Sequence, residues 1–183
     1  GRYEVGDLKQ TTPVVKRMNT DIGSQAWYTM YKKCKKLSGT NTNVKTSMIW
    51  GTQYDQVMNW LIKSGEKTPL DIYRGSAAWG NYRDNEFEYY TNTSKITATK
   101  KLGGETRIAS GAYEGAKANN IYDIAGNVRL WTLEASSSGS GSYRYYRGGS
   151  YVDNGDYYAS YRYGNNPYGS IIYIGFGVTL YIK

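Results

Sequence analysis

Histidine is absent from the 183 residues, and cysteine occurs once, at Cys34. Without imidazole there is no Ser-His-Asp or Cys-His site, no usual zinc or non-heme iron site and no ordinary proton shuttle near neutral pH. A single cysteine excludes an internal disulfide, a thiolate metal cluster and a paired-cysteine redox motif. Any chemistry must rest on carboxylates, Lys, Tyr or Cys34. No run approaches the roughly 20 apolar residues that cross a bilayer, and no Gly/Pro/Ser-rich linker divides the chain, so residues 1–183 read as one domain. Phenylalanine is also scarce, 2 against 21 tyrosines. A buried phenol must find a hydrogen-bond partner, so this ratio assigns tyrosine to contact surfaces rather than to a core. No signal-peptide pattern opens the chain, and its first residue, Gly1, reads as the mark of processing or of an engineered junction, so any upstream segment is invisible and the compartment stays open.

The charge is basic, +8 net. Lys32, Lys33, Lys35 and Lys36 cluster on one early segment and Lys100 with Lys101 on another. Neither cluster interleaves with stacking aromatics, so the favoured reading is solvated faces and not a nucleic-acid partner.

Two segments carry a helical period. From Ser24 to Ser38, Ala26, Trp27, Met30, Tyr31, Cys34 and Leu37 recur at three and four, with Ser24 as N-cap and Gly39 as the stop. Cys34 lies on that stripe and reads as a small buried hydrophobe. From Tyr54 to Lys63, Tyr54, Val57, Met58, Leu61 and Ile62 repeat the spacing, opened by Thr52 and closed by Ser64-Gly65. Thereafter strand-like runs appear around residues 87–90, 96–99, 128–133, 143–147, 159–163 and 175–182, separated by Gly, Asn, Asp and Ser turns. Helices first and strands afterwards predict an α+β domain. The Ser136–Ser142 stretch reads as a flexible surface loop.

The alphabet changes at residue 143. From Tyr143 to Ile182 there are 11 tyrosines but no Lys, Glu, Gln, Met or Trp, whereas the preceding chain holds 13 of the 14 lysines and all seven glutamates. All five missing types have codons ending in a purine. An asparagine codon ending in a pyrimidine, randomised at its two adenines, reaches Tyr, Ser, Asp, Gly, Ile and Val but never those five. One reading is therefore a diversified window; the other is a strand-and-turn region that depletes Lys and Glu by strand preference. What is enriched favours the first. Tyr gives large, rigid contact area at low entropic cost, and Ser, Gly and Asn give adaptable hydrogen bonding, as in antibody paratopes.

Several ordered blocks carry a resemblance: Asn120-Ile121-Tyr122-Asp123-Ile124-Ala125-Gly126-Asn127-Val128 with Trp131-Thr132, then Arg147-Gly148-Gly149-Ser150-Tyr151, Ala159-Ser160-Tyr161-Arg162, Asn166-Pro167 and Ile174-Gly175-Phe176. They resemble the formylglycine-generating-enzyme/sulfatase-modifying-factor domain, which implies a C-type lectin fold with two N-terminal helices and short antiparallel strands. The oxidase members place two cysteines after the Arg-Gly-Gly-Ser block, and here Tyr151–Tyr163 has none. The family's calcium loop would use the Asp123 side chain, the carbonyls of Gly126 and Val128, and a glutamate between two tryptophans. Here Arg129-Leu130-Trp131 stands in its place, so the resemblance implies neither metal nor cofactor. The branch with a Tyr/Asn/Ser-rich C-terminus that discards catalysis is the variable protein of diversity-generating retroelements, which this chain looks like. That implies receptor binding from a virion or cell surface.

Within the window, about 143–174, Arg147, Gly148, Gly149, Arg162, Pro167, Gly175 and Phe176 match family blocks and read as scaffold, the arginines bonding loop carbonyls. The ligand-binding candidates are Tyr145, Asp153, Asp156, Tyr157, Tyr158, Tyr161, Tyr163, Asn165, Tyr168, Ser170, Ile171, Ile172 and Tyr173. Tyr151 and Tyr161 stand nearest to scaffold. The expected partner is an unidentified protein or glycan receptor, and a homo-oligomer stays open. Three alternatives are a fixed carbohydrate-binding lectin-fold domain, a structural particle component whose tyrosines bury against a symmetry mate, and a carboxylate-based glycosidase using Glu86 with Glu88 or Asp153 with Asp156.

Overall fold

Apolar side chains at three- and four-residue intervals bury one stripe of the first helix, α1 (Trp27–Lys36), through Trp27, Met30 and Cys34. In the computed structural model, which describes residues 2–136 and 143–182, this helix begins three residues after the expected cap. Ser24 has φ +74° and spends its N–H on the Ile171 carbonyl (3.1 Å), so it belongs to the incoming loop and not to the helix. The second helix, α2 (Gly51–Lys63), buries Gly51, Tyr54, Met58 and Leu61. It starts earlier than the Tyr54 period indicates because the Gln53 side-chain oxygen Oε1 accepts the Trp50 N–H (3.0 Å) and holds the first turn. A third, short helix, α3 (Pro69–Tyr73), has no long apolar period; proline at its start and a Thr68/Asp71 capping box make it. The serine-rich segment 137–142 lies outside the described residues.

The strands are short: β1 (Val5–Gly6), β2 (Val14–Val15), β3 (Val44–Met48), β4 (Phe87–Tyr90), β5 (Thr97–Lys100), β6 (Lys117–Ala118), β7 (Ile121–Tyr122), β8 (Arg129–Ala135), β9 (Arg144–Arg147), β10 (Arg162–Asn165), β11 (Ile174–Phe176) and β12 (Val178–Ile182). The central sheet has the order β10-β9-β8-β11, and β11 runs parallel to β8, an exception to the expected antiparallel pattern. The last predicted strand divides at Gly177: β11 stays in that sheet, whereas β12 pairs with β3 near the other end of the sequence. The strand expected at residues 159–163 forms later, at 162–165, because Tyr161 N–H turns back to the Tyr158 carbonyl (2.8 Å).

Side chains alternate across this sheet, so its two faces build two cores. Trp131, Tyr146, Ile174 and Phe176 face α1 and pack with Trp27, Met30, Cys34 and Met48. Leu130 faces α2 with Tyr54, Met58, Ile124 and Ala159. The Trp27 indole N–H donates to the Thr132 carbonyl (2.8 Å) and pins α1 to β8. A smaller cluster of Phe87, Ile108, Ala109 and Ala112 lies under the β4–β5 hairpin. Lys100, expected in a solvated patch, is buried there instead: its ammonium donates to the carbonyls of Asn85 (2.5 Å) and Arg83 (3.3 Å), and burial pushes it below the usual lysine range.

Candidate ligand-binding face

The antiparallel register sets Tyr163 opposite Tyr146 and Arg162 opposite Arg147. Paired residues share a face, so Tyr163, and Asn165 two residues on, project to the α1 side. Here the aromatic rings form a continuous row. Trp131 meets Tyr146 (centroids 5.8 Å), Tyr146 meets Tyr163 (6.0 Å), Tyr163 stacks with Tyr161 (6.3 Å), and Tyr161 meets Tyr157 (4.8 Å) and Tyr158 (6.3 Å). The row runs from the fully buried Trp131 to Tyr163, which is 56% exposed. Tyr168, 71% exposed, leans on Tyr28 of α1 (5.3 Å), and the Trp27 N–H donates to the Pro167 carbonyl (3.0 Å), so the loop after β10 is tied to the helix.

Arg129 organises this side. It is buried, its Nε and Nη2 grip the two Asp153 oxygens (3.1 and 2.5 Å), and its guanidinium lies within 4.9, 5.4 and 4.8 Å of the rings of Tyr146, Tyr157 and Tyr173. The Asp153 carboxylate also accepts from the Ser150 N–H (2.8 Å) and hydroxyl (2.6 Å), and the Arg129 N–H donates to the Tyr173 carbonyl (2.9 Å). One cation thereby joins β8, β9, the 150–158 loop and the segment before β11. Burying a charge costs little only when it is paired and hydrogen-bonded, and here both ions are.

The thirteen candidates do not form one surface. Tyr157, Tyr158, Tyr161, Tyr163, Asn165, Tyr168, Ile171 and Tyr173 gather on the α1 side, with Ile171 and Tyr173 half-buried against its core. Ser170 and Ile172 are exposed beside them. Arg107 donates to the Ile172 carbonyl (3.1 Å), and an open cleft of about 420 Å³ lies between Arg107, Tyr151 and Ile172. Asp156 is exposed at the tip of its loop, bonded to Asn154 (3.1 Å). Asp153 points inward to Arg129 and is only 7% exposed, so it is an internal brace and not a contact residue. Tyr145 lies on the other face of the sheet, beneath the Arg162 guanidinium (3.7 Å).

The family-block residues support this face. Arg147 and Arg162 bond carboxylates rather than loop carbonyls: Arg147 pairs with Asp55, and Arg162 with Glu134 (2.5 Å). Gly149 is required by crowding, because a Cβ there would run into the Tyr157 carbonyl and the Tyr82 ring. Tyr151 is buried, in keeping with a scaffold role. Sequence reading missed Arg129 and Tyr28 as parts of the face. Arg129 was visible only as the residue replacing the family's loop pattern, and nothing in α1's period distinguishes Tyr28.

The loop that holds calcium in the family is built differently here. Oδ2 of Asp123 is occupied by the Ser110 hydroxyl (2.9 Å) and the Gly111 N–H (2.7 Å). Glu4, from the start of the chain, accepts from Asn127 Nδ2 (2.8 Å) and the Val128 N–H (3.4 Å), tying the loop by hydrogen bonds. The position of the family's glutamate belongs to Leu130, flanked by the Arg129 cation, and no group of three or more His, Cys, Asp or Glu converges among the described residues. The carboxylates considered for catalysis have separate surroundings. Glu86 pairs with Lys101 (3.7 Å) and Glu88 is exposed, while Asp153 and Asp156 point to the interior and to solvent. Cys34 is fully buried, and burial pushes its thiol up to about 12.

Solved structures share this fold, two of them as follows. Variable protein 1 of Treponema denticola shares 16% identity over 96% of this chain and 76% of its own, with a TM-score of 0.54. A crystal structure of CarF shares 14% identity over 88% of this chain and 67% of its own, with a TM-score of 0.50. At these identities the likeness establishes the C-type lectin architecture. No curated protein sequence matches the chain. Residues 40–180 match the sulfatase-modifying factor enzyme 1-like domain along α2, α3, the central sheet and the tyrosines of residues 157–173, and the chain belongs to that family.

Proposed function

We propose that the chain is a non-catalytic variable protein that binds a protein or glycan receptor through the α1-side face of residues 157–173, displayed on a virion or cell surface. The observation that carries this reading is the row of tyrosines ending in solvent, standing on braces that variation would not reach. The Arg129–Asp153 pair, Gly149 and the Trp131–Tyr146 contact hold the backbone, while Tyr163, Tyr168, Ser170 and Ile172 are free to change without emptying a core. Clustered tyrosines with few lysines also match the composition of interface hot spots.

Deep sequencing of the gene from a growing population tests it. Variation should concentrate at codons 157, 158, 163, 165, 168 and 170–173, at adenine-rich template positions with pyrimidine third bases, and spare Arg129, Gly149 and Phe176. An invariant window with ordinary codon usage would replace this reading with a fixed lectin-fold domain.

A further inference from the structure

Between Asp21 and Asp55 the chain has five lysines, Lys32, Lys33, Lys35, Lys36 and Lys45, and no acidic residue. The fold gathers them at one end. The Thr46 hydroxyl on β3 donates to the Cys34 carbonyl (2.7 Å) and accepts the Ser38 N–H (3.0 Å), which fastens β3 to the last turn of α1. Directly opposite Thr46 stands Leu180, and opposite Val44 stands Ile182, so both apolar side chains lie on the α1 side of the β3–β12 ribbon. Leu180 is 62% exposed and Ile182 84%. Lys45 lies across from Tyr181 on the reverse side of the same ribbon. Lys33 donates to the Gln10 carbonyl and Lys35 sits 4.4 Å above the Tyr31 ring, but among the described residues none of the five lysines meets a carboxylate. A helix C-terminus attracts lysine through its dipole. That accounts for the α1 residues but not for Lys45 on a strand or for two exposed aliphatic residues beside them.

We infer that this end of the molecule docks on an anionic lipid surface, the ammonium groups meeting headgroup phosphates while Leu180 and Ile182 enter the acyl boundary. A nucleic-acid surface would call for arginine forks beside flat rings on which bases stack; this one has rings in Tyr31 and Tyr181, but its cations between Asp21 and Asp55 are all lysines and its most exposed apolar side chains are aliphatic. The inference is independent of receptor binding. It has a geometric consequence for it, however: Lys35 and Lys36 in the last turn and the Trp27–Tyr28 turn that contacts Pro167 and Tyr168 lie at opposite ends of a 10-residue helix about 15 Å long, while Lys32 stands one turn from Tyr28, so lipid and receptor would meet neighbouring parts of α1.

Flotation of the full chain with phosphatidylcholine vesicles, with and without about a third of phosphatidylglycerol, tests this. Binding should require the anionic lipid and be lost at about 0.5 M salt, where charges are screened within a few ångströms. Each lysine is worth about fivefold in vesicle affinity, so reversing three of them in Lys32→Glu/Lys36→Glu/Lys45→Glu should weaken binding more than about a hundredfold. Leu180→Ser/Ile182→Ser should weaken it as well, without altering the salt dependence. All five positions are exposed, and circular dichroism of the variants verifies their fold. Tyr163→Ala/Tyr168→Ala should leave vesicle binding unchanged, which separates this surface from the receptor face. Absence of binding, equal binding to neutral vesicles, or full binding by the charge-reversed variant would overturn the inference. Capture by duplex DNA without capture by vesicles would overturn it in favour of a nucleic-acid surface.

Discussion

Arg129 is a single residue on which three tyrosine rings and one carboxylate converge, and its neighbours set what its loss would do. Arg129→Met leaves Asp153 charged and buried with only Ser150 to answer it, a change that costs about 3–5 kcal/mol in buried pairs. Adding Asp153→Asn removes the stranded charge and should recover part of that loss, as urea denaturation of the single and double variants would show. A smaller loss in the single than in the double variant would mean that the pair is not a brace. Cys34 yields a second expectation at this scale. With the thiol buried and shifted up to about 12, it should resist thiol reagents in the native protein at neutral pH and react stoichiometrically once the chain is unfolded. Labelling at native speed would place it at the surface.

The helices differ in what makes them. α1 and α2 have an apolar stripe to bury, whereas α3 has five residues and depends on its first turn. Asp71 there accepts from the Thr68 N–H (2.8 Å) and hydroxyl (2.7 Å), and those bonds hold its carboxyl below the ordinary 3.8. A carboxyl lowered on folding stabilises the native state above its unfolded value, and the contribution disappears as the pH falls through the folded one. Asp71→Asn should therefore cost up to about 1 kcal/mol at neutral pH. The difference from the parent should shrink as the pH drops below about 4. A difference that stays constant into acid would assign the effect to packing instead. The apolar period made α1 and α2 legible in the sequence, but their starts were not. Ser24 resembles a cap, yet its N–H is bound by a loop nearly 150 residues later, a partner no local pattern reveals.

On the scale of the whole molecule, the central sheet is a partition shared by two cores. Along β8, Arg129 and Trp131 serve the α1 side and Leu130 the α2 side, so neither core can open without breaking the strand that carries the other. Thermal unfolding should be one transition, with tryptophan fluorescence and far-ultraviolet circular dichroism coincident. Two separated transitions would show that the cores melt independently. The closing strand adds to this coupling: β11 lies parallel to β8, and after Gly177 the chain crosses to β3, joining residues 178–182 to residues 44–48.

The sequence by itself determined which histidine- and thiol-pair chemistry is excluded, through the missing histidines and the lone cysteine, and where the alphabet turns tyrosine-rich. It also determined the family, because short blocks in fixed order survive where side chains meet crowded backbone, as at Gly149. Only the tertiary structure decided which window residues share a surface. A strand sends neighbours to opposite faces, so Tyr145 and Tyr146 part company, and which face meets solvent depends on what packs against it. Asp153 and Asp156 are indistinguishable as letters three positions apart. The guanidinium of Arg129, 24 residues earlier in the chain, draws one of them inside and leaves the other in water.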